Sequence, residues 1–321
     1  MTAEALDAQD VRKVYRTRRA MWWRAPAAAA DGGAIEALTG VSIHVRPGER
    51  VALLGRNGAG KTTFLRIAAT LLAPTSGEVR VFGEDVERDA DRVRALIAVV
   101  PQEGKPFFHL TPREQVYTYL RARGYGHAEA KSRTDEALGQ MEILDIADRL
   151  SVTLSGGQRQ RTMVATVIAT EAPLLFLDEP TIGLDPFARR RVWESLRGLS
   201  RKGSTILLTT HYLDEAEALA ERLYIVDRGR VLVEGTADEL KHQVGGSLRV
   251  SISGDGVRAE TFASFGPVVT DGSKVHVITE PPRLPEILNL AVGRGLSSTV
   301  GPVTLEEAFL QVVGHSIDEE T

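Results

Sequence analysis

A chain of 321 residues that is 43% hydrophobic and 26% charged has the makeup of an ordinary globular protein, long enough for one large domain and a small one. A formal net charge of −4 argues against general affinity for a nucleic-acid backbone, so no nucleic-acid partner is expected. The absence of cysteine excludes a disulfide scaffold and any thiolate metal site.

In chain order, Glu4 and Asp7 stand where a signal peptide would carry its apolar core, so secretion is not expected. No apolar run reaches the ~18–20 uncharged residues that cross a bilayer, and any work at a membrane is expected from its cytoplasmic face. From Leu6 to Leu240 short β-branched runs alternate with longer amphipathic segments, the pattern of an α/β fold. Arg16–Gly33, with its arginines, Trp22-Trp23 and Ala27–Ala30, reads as a mobile insertion between two strands. Its arginines leave anionic lipid or nucleic acid open beside the plainer reading, a solvated loop. Val41–Val45 and Arg50–Leu54 are predicted strands separated by the Pro47-Gly48 turn, and Leu54 runs into a glycine-rich loop and a helix over Thr62–Leu71.

Strands follow at Val79–Phe82 and Ile97–Val100. A mainly helical stretch then runs from Pro112 to Thr170, with starts marked by Thr111-Pro112-Arg113-Glu114 and by Ser155. Leu174–Leu177, Thr205–Thr209 and Leu223–Val226 are strands with helices between them, and Arg230–Glu234 closes a hairpin. The Gly245-Gly246 pair marks a linker. Beyond it, strands at Leu248–Ser253 and Lys274–Thr279 and helices at Pro285–Val292 and Thr304–Val313 make a small α+β domain.

Three stretches carry chemistry. Gly55-Arg56-Asn57-Gly58-Ala59-Gly60-Lys61-Thr62 fits the phosphate-binding pattern G-x-x-x-x-G-K-[ST]. Its glycines let successive N–H groups face phosphate oxygens, and the following helix adds its positive end. Lys61 supplies a mobile charge for the β- and γ-phosphates, and Thr62 offers a hydroxyl to Mg²⁺, which makes ATP and Mg²⁺ the expected ligands. The apolar strand Leu174–Leu177 ends in Asp178 and Glu179, in the crevice where a buried parallel strand delivers its ligands. Asp178 can hold Mg²⁺ and Glu179 can polarise an attacking water; taken alone, the pair also suits an ordinary strand-to-loop transition. In Leu154-Ser155-Gly156-Gly157-Gln158-Arg159-Gln160-Arg161, Ser155 caps a helix whose glycines expose its first N–H groups to an anion, a second phosphate site far along the chain from the first.

On these motifs the sequence resembles the ABC-transporter ATPase family over nearly all of Leu6–Leu240. The resemblance implies a P-loop NTPase core over residues 1–240, with a helical subdomain near 104–170, and a small C-terminal α+β dimerisation or regulatory domain over 241–321. In that family the phosphate loop of one copy faces the Leu-Ser-Gly-Gly-Gln string of another with ATP between them. Carried over, Gly55, Asn57, Gly58, Gly60, Lys61, Thr62 and Thr63 would bind nucleotide from one side, and Ser155, Gly156, Gly157 and Gln158 of a second copy from the other. Further matches imply roles for Gln102 (a loop sensing Mg²⁺ and the γ-phosphate and touching a membrane partner), Asp185 (a loop at the dimer interface) and His211 (a switch beside the γ-phosphate). The implied catalytic set is therefore Glu179, His211, Lys61 and Gln102, and the implied metal set Thr62, Gln102 and Asp178. Tyr15 falls where the family places an aromatic ring against adenine, although the insertion after it makes Trp22 and Trp23 alternative candidates.

The ending Val303–Gly314 resembles ATPase subunits of ABC-2-type exporters, the daunorubicin-resistance type above all, with Leu305, Ala308, Phe309 and Val312 on one helical face. It implies a peripheral ATPase on the cytoplasmic face of the membrane, working as a homodimer with a separate ABC-2-type permease that carries a drug-like substrate. Two alternatives stay open: a soluble ABC ATPase acting on ribosomes or DNA, and the ATPase of an importer.

Overall fold

A computed structural model describes residues 4–16, 34–102 and 104–318; Trp22, Trp23 and nearly all of the expected insertion lie outside them. The chain forms two compact units, Met1–Val231 and Leu232–Thr321.

The first unit carries two sheets. β1 (Leu6–Arg16) pairs antiparallel with β2 (Ala34–Val45) and with β4 (Ser76–Val81), and β5 (Glu84–Asp85) completes the order β2-β1-β4-β5. The second sheet is built on parallel strands: β3 (Arg50–Leu54), β6 (Ile97–Val100), β7 (Leu174–Asp178), β8 (Thr205–Thr210) and β9 (Arg222–Asp227). With β10 (Arg230–Gly235) its order is β10-β9-β3-β8-β7-β6. Every residue of β7 and β8 is buried, which is why Leu174–Leu177 and Ile206–Leu208 within them read as apolar runs rather than alternating ones. Leu53, Leu174, Phe176 and Leu207 share a core with Leu6, Ile43 and Val81 of the antiparallel sheet and with Phe64 and Ile67 of α1 (Lys61–Ala68).

Helix α1 stops short of Leu71, where the sequence pattern carried it. Thr70 turns into the left-handed region at φ 61°, and the Leu71 N–H reaches back to the Arg66 carbonyl at 2.8 Å, which closes the last turn. α2 (Ala90–Leu96) leads into β6. The stretch after β6 is helical as expected: α3 (Pro112–Ala122), α4 (His127–Gln140) and α5 (Gly156–Ile168) pack on one another, and Thr111 with Glu114 forms a capping box at the start of α3. α6 (Pro186–Arg201) follows β7, and α7 (Leu213–Leu219) follows β8.

In the second unit α8 (Ala237–His242) precedes a four-stranded antiparallel sheet. Its strands β11 (Leu248–Ser253), β12 (Val268–Asp271), β13 (Lys274–Thr279) and β14 (Ser297–Pro302) lie in the order β12-β13-β11-β14. α9 (Leu284–Gly293) covers Val250, Ile252, Val275 and Val277 with Ile287 and Ala291. α10 (Leu305–Asp318) buries Leu305, Ala308 and Val313, leaves Phe309 and Val312 half-buried, and also buries Glu307, held by Arg249 and Thr304. The units divide inside β10 rather than at 240/241, because α8 packs on α10 and so sides with the later residues. Among the described residues no helix is long and apolar enough to cross a membrane.

Candidate functional site

Four neighbouring parallel strands, β3, β8, β7 and β6, end at the same edge of the sheet. Their carboxyl ends deliver, in that order, the Gly55–Lys61 loop, His211, Asp178 with Glu179, and Gln102. Ala37, Asn57–Thr63, Gln102 and Glu179 line one open cleft there. The loop needs its glycines for two separate reasons. A side chain at Gly55 would meet the Val226 carbonyl oxygen at 2.2 Å, and one at Gly60, whose φ is 102°, would meet the Ala37 carbonyl oxygen at 2.6 Å.

Lys61 opens α1 and is almost fully buried, its Nζ donating to the carbonyls of Gly55 (2.7 Å) and Arg56 (3.1 Å). Burial lowers its pKa, against the pull of Glu179 and Asp178. Its ammonium therefore rests on groups that phosphate oxygens can replace at no cost in new burial. Beside it, Thr62 Oγ1 faces two acceptors, Asp178 Oδ1 at 3.0 Å and Gln102 Oε1 at 3.3 Å. One hydroxyl proton cannot serve both oxygens. A hydroxyl, an amide oxygen and one carboxylate converging on a point make a hard-oxygen set that fits Mg²⁺, an ion that keeps waters and takes substrate phosphates as further ligands. Asp178 is buried, and burial raises its pKa while hydrogen bonds from Thr209 and Thr62 hold it down.

Glu179 is 5% exposed and has a left-handed backbone, φ 50°, a conformation that costs about 1–3 kcal/mol and persists only where the surroundings impose it. Thr209 imposes part of it, since its carbonyl and its hydroxyl both accept the Glu179 N–H at 3.1 Å. Gln160 of α5 adds a hold on the next residue, donating to the Pro180 carbonyl at 2.9 Å. His211 Nδ1 stands 3.2 Å from Glu179 Oε1 but off the line of a hydrogen bond, so the imidazole is close to the carboxylate and still free to take another partner. Tyr15 stands at the end of β1 with its hydroxyl 3.5 Å from Thr63 Oγ1 and its ring partly exposed beside the loop.

The cleft thus gathers Tyr15, the loop residues Gly55 to Thr63, Gln102, Asp178, Glu179 and His211. It does not gather Ser155, Gly156, Gly157, Gln158 or Asp185. Ser155 and Gln158 form a reciprocal capping box at the tip of α5, with Ser155 Oγ accepting from the Gln158 N–H at 3.2 Å and Gln158 Oε1 from the Ser155 N–H at 2.9 Å. A side chain at Gly156 would meet nothing, and one at Gly157 would meet Leu184 and the Gly183 carbonyl oxygen at ordinary contact distance. Within this chain neither glycine relieves a clash. Asp185 is next to this tip through Leu184 and caps α6, accepting from the Phe187 and Ala188 N–H groups at 2.9 and 3.0 Å; the Ala188 bond above all keeps its carboxyl below the usual range. Thr209, Gln160 and Ala37 support or line the cleft although the sequence reading gave none of them a role. A signal for Thr209 was present: two threonines end a strand otherwise fit for complete burial.

A family model described as ABC transporter matches residues 38–182. The chain is 39% identical to the daunorubicin/doxorubicin resistance ATP-binding protein DrrA of Streptomyces peucetius, over 89% of this chain and 90% of that one. It is 35% identical to the Nod factor export ATP-binding protein I of Paraburkholderia xenovorans, over 87% and 93%. Among solved structures, a dimeric ATP-binding cassette bound to ADP and Pi in a post-hydrolysis state is 28% identical, with a TM-score of 0.64, over 72% of this chain and 98% of that one.

Proposed function

Since this chain belongs to the ABC transporter ATP-binding family, we propose that it is the ATPase subunit of an exporter and that two copies close on two ATP molecules to drive a separate membrane-embedded permease. The observation that carries this is the division of the anion-binding parts. One chain equips a cleft with Lys61, Thr62, Gln102, Asp178 and Glu179, and sets a second anion-ready helix tip, at Ser155, outside it. The solved dimer with ADP and Pi supports pairing as the way such a tip meets nucleotide.

In this reading the loop N–H groups and Lys61 bind the phosphates, and Tyr15 offers its exposed ring to the base. Mg²⁺, held by Thr62, Asp178 and Gln102, would neutralise charge on the phosphate oxygens. Glu179 orients the attacking water and takes up its proton as the bond to the γ-phosphorus forms. His211 supports that water and the γ-phosphate from the neighbouring strand. Ser155 and Gly157 of the second copy meet the γ-phosphate, so binding energy from that group favours the closed pair and hydrolysis releases it. The permease contact is assigned to the exposed Phe107 and Phe108 beside Val152, which follow Gln102 along the chain and stand clear of the core. Export of an amphipathic drug-like compound is the substrate class drawn from the relatives, and the chain is placed on the cytoplasmic face of the membrane.

The test is Glu179→Gln in the full chain. The expected result is ATP binding with turnover lost and a stable dimer in ATP and Mg²⁺ by size-exclusion chromatography. A variant that stays monomeric under those conditions with the permease present, or hydrolyses ATP at the wild-type rate, overturns the reading.

A further inference from the structure

Behind the catalytic edge lies a carboxylate that the mechanism above does not use. Glu215, in the first turn of α7, is fully buried, and its Oε1 accepts from the Thr181 hydroxyl at 2.7 Å and from the Trp193 indole N–H at 3.2 Å. Its Oε2 is buried without a hydrogen bond. The Thr210 hydroxyl, which accepts from the Tyr212 N–H at 2.9 Å, lies alongside. Burial drives the Glu215 pKa upward, against the hydroxyls of Thr210 and Thr181, the Trp193 indole and the charge of Arg189. As a filler of core space a carboxylate is a poor choice, because an apolar side chain of similar volume avoids the desolvation cost.

The partners of Glu215 give the carboxylate a job. Thr181 lies two residues beyond Glu179, whose left-handed backbone needs outside support, and Thr210 immediately precedes His211. Trp193 belongs to α6, the helix that Asp185 caps. A second arm joins the same elements: the Arg189 guanidinium of α6 lies 4.5 Å over the Tyr212 ring, which stands 4.1 Å from the His211 imidazole, and Arg189 also pairs with Asp214 at 2.9 Å. One buried carboxylate therefore touches the loop of the catalytic glutamate, the strand end that carries the histidine, and the helix that starts at the Asp185 turn.

We propose that Glu215 is a positioning residue for ATP hydrolysis, fixing Glu179 and His211 relative to one another and tying both to α6, and so governing turnover rather than nucleotide affinity. The proposal rests on the hydrolytic reading above. It follows because Glu215 touches no residue lining the nucleotide cleft, whereas Thr181, which donates to it, and Thr210, which lies alongside it, are each within two residues of a hydrolytic side chain.

The experiment is steady-state ATPase kinetics on the full chain carrying Glu215→Ala, Glu215→Gln or Thr181→Val, beside wild type and Glu179→Gln. Tryptophan emission is read in a background where Trp22 and Trp23 are phenylalanine, which leaves Trp193 as the reporter. Glu215→Ala is expected to lower kcat about tenfold to a hundredfold, the scale of a small misplacement of reacting groups. Its KM for ATP should stay within about twofold of wild type, because ground-state binding is untouched. Thr181→Val removes a single donor, keeps its shape and lowers kcat less. Glu215→Gln keeps an acceptor oxygen for Thr181 and Trp193, recovers most of the rate and leaves the Trp193 emission in place, whereas Glu215→Ala shifts it. Wild-type turnover abolished by Glu179→Gln upholds the hydrolytic reading by itself. Against that background, an unchanged kcat in both Glu215→Ala and Thr181→Val overturns the proposal, as does a rise in KM that accounts for the whole loss.

Discussion

The phosphate loop after β3 and the tip of α5 are both helix starts with a glycine beside them, yet they stand in opposite conditions. At the loop the chain surrounds the helix start with its own partners: Lys61 rests on carbonyls, Thr62 touches Asp178 and Gln102, and Glu179 closes the side. At the α5 tip the chain supplies only the cap. Ser155 and Gln158 satisfy each other, and the glycine beside them faces open space. Steric need explains Gly55 and Gly60, whereas Gly156 has no such explanation within one copy. In the proposed pairing, that open space is where nucleotide held in a second copy would approach.

The sharpest way to break this contrast is to disable each half separately. Glu179→Gln in the complete half should lower kcat by about two to four powers of ten, the usual contribution of a positioned general base, while fluorescent ATP binding by the single chain persists. Gly156→Asp in the incomplete half should lower ATPase activity by more than about tenfold, because a carboxylate at the helix tip repels the γ-phosphate it should receive. Its single-chain nucleotide affinity and its thermal stability should both match wild type, since a side chain there meets nothing. If Gly156→Asp weakens ATP binding to a monomer, the two halves belong to one site and the contrast fails.

The same contrast governs what could be read from the sequence. The loop, the Asp178-Glu179 pair and the Ser155 helix were legible because each needs its residue types in one contiguous run. Strands β7 and β8 were legible because burial on both faces leaves apolar runs within them, Leu174–Leu177 and Ile206–Leu208. Gln160 and Glu215 were not: the first reads as one more polar residue on a helix, the second as an acidic residue in a helix's first turn, and only tertiary pairing buries them. β14 was hidden for another reason. Ser297-Ser298-Thr299-Val300-Gly301-Pro302 has no alternation and ends in glycine and proline, and its strand character comes from pairing as an edge with β11. Glu307 likewise reads as the exposed side of an amphipathic helix, and becomes buried because Arg249 and Thr304 receive it.

A smaller effect separates the two jobs of Ser155. Ser155→Ala removes the hydroxyl that accepts the Gln158 N–H, which should cost about 1 kcal/mol of stability, read by chemical denaturation of the single chain. If the hydroxyl also serves nucleotide in a second copy, ATPase activity should fall further than that stability loss explains, at a temperature where the variant is fully folded. Activity equal to wild type under those conditions would confine Ser155 to capping.

The smallest effect concerns pH and bears on how the complete half is held together. Burial raises the pKa of Glu215 above its ordinary value of 4.5, so the folded chain keeps this proton to higher pH than the unfolded chain does. Between the two values the folded state binds more protons, and the free energy of unfolding must fall as pH rises through that window. Its contribution is fully present below the unfolded value and is lost above the folded one. Glu215→Gln cannot titrate, so the difference in stability between this variant and wild type isolates the group, with the titration of every other residue cancelling. That difference should move steadily in favour of the variant as pH is raised from about 5 and then level off. A difference that stays flat across the range would mean that Thr181, Trp193 and Arg189 compensate the buried charge completely. Glu215 would then hold the catalytic edge in place at no standing electrostatic cost.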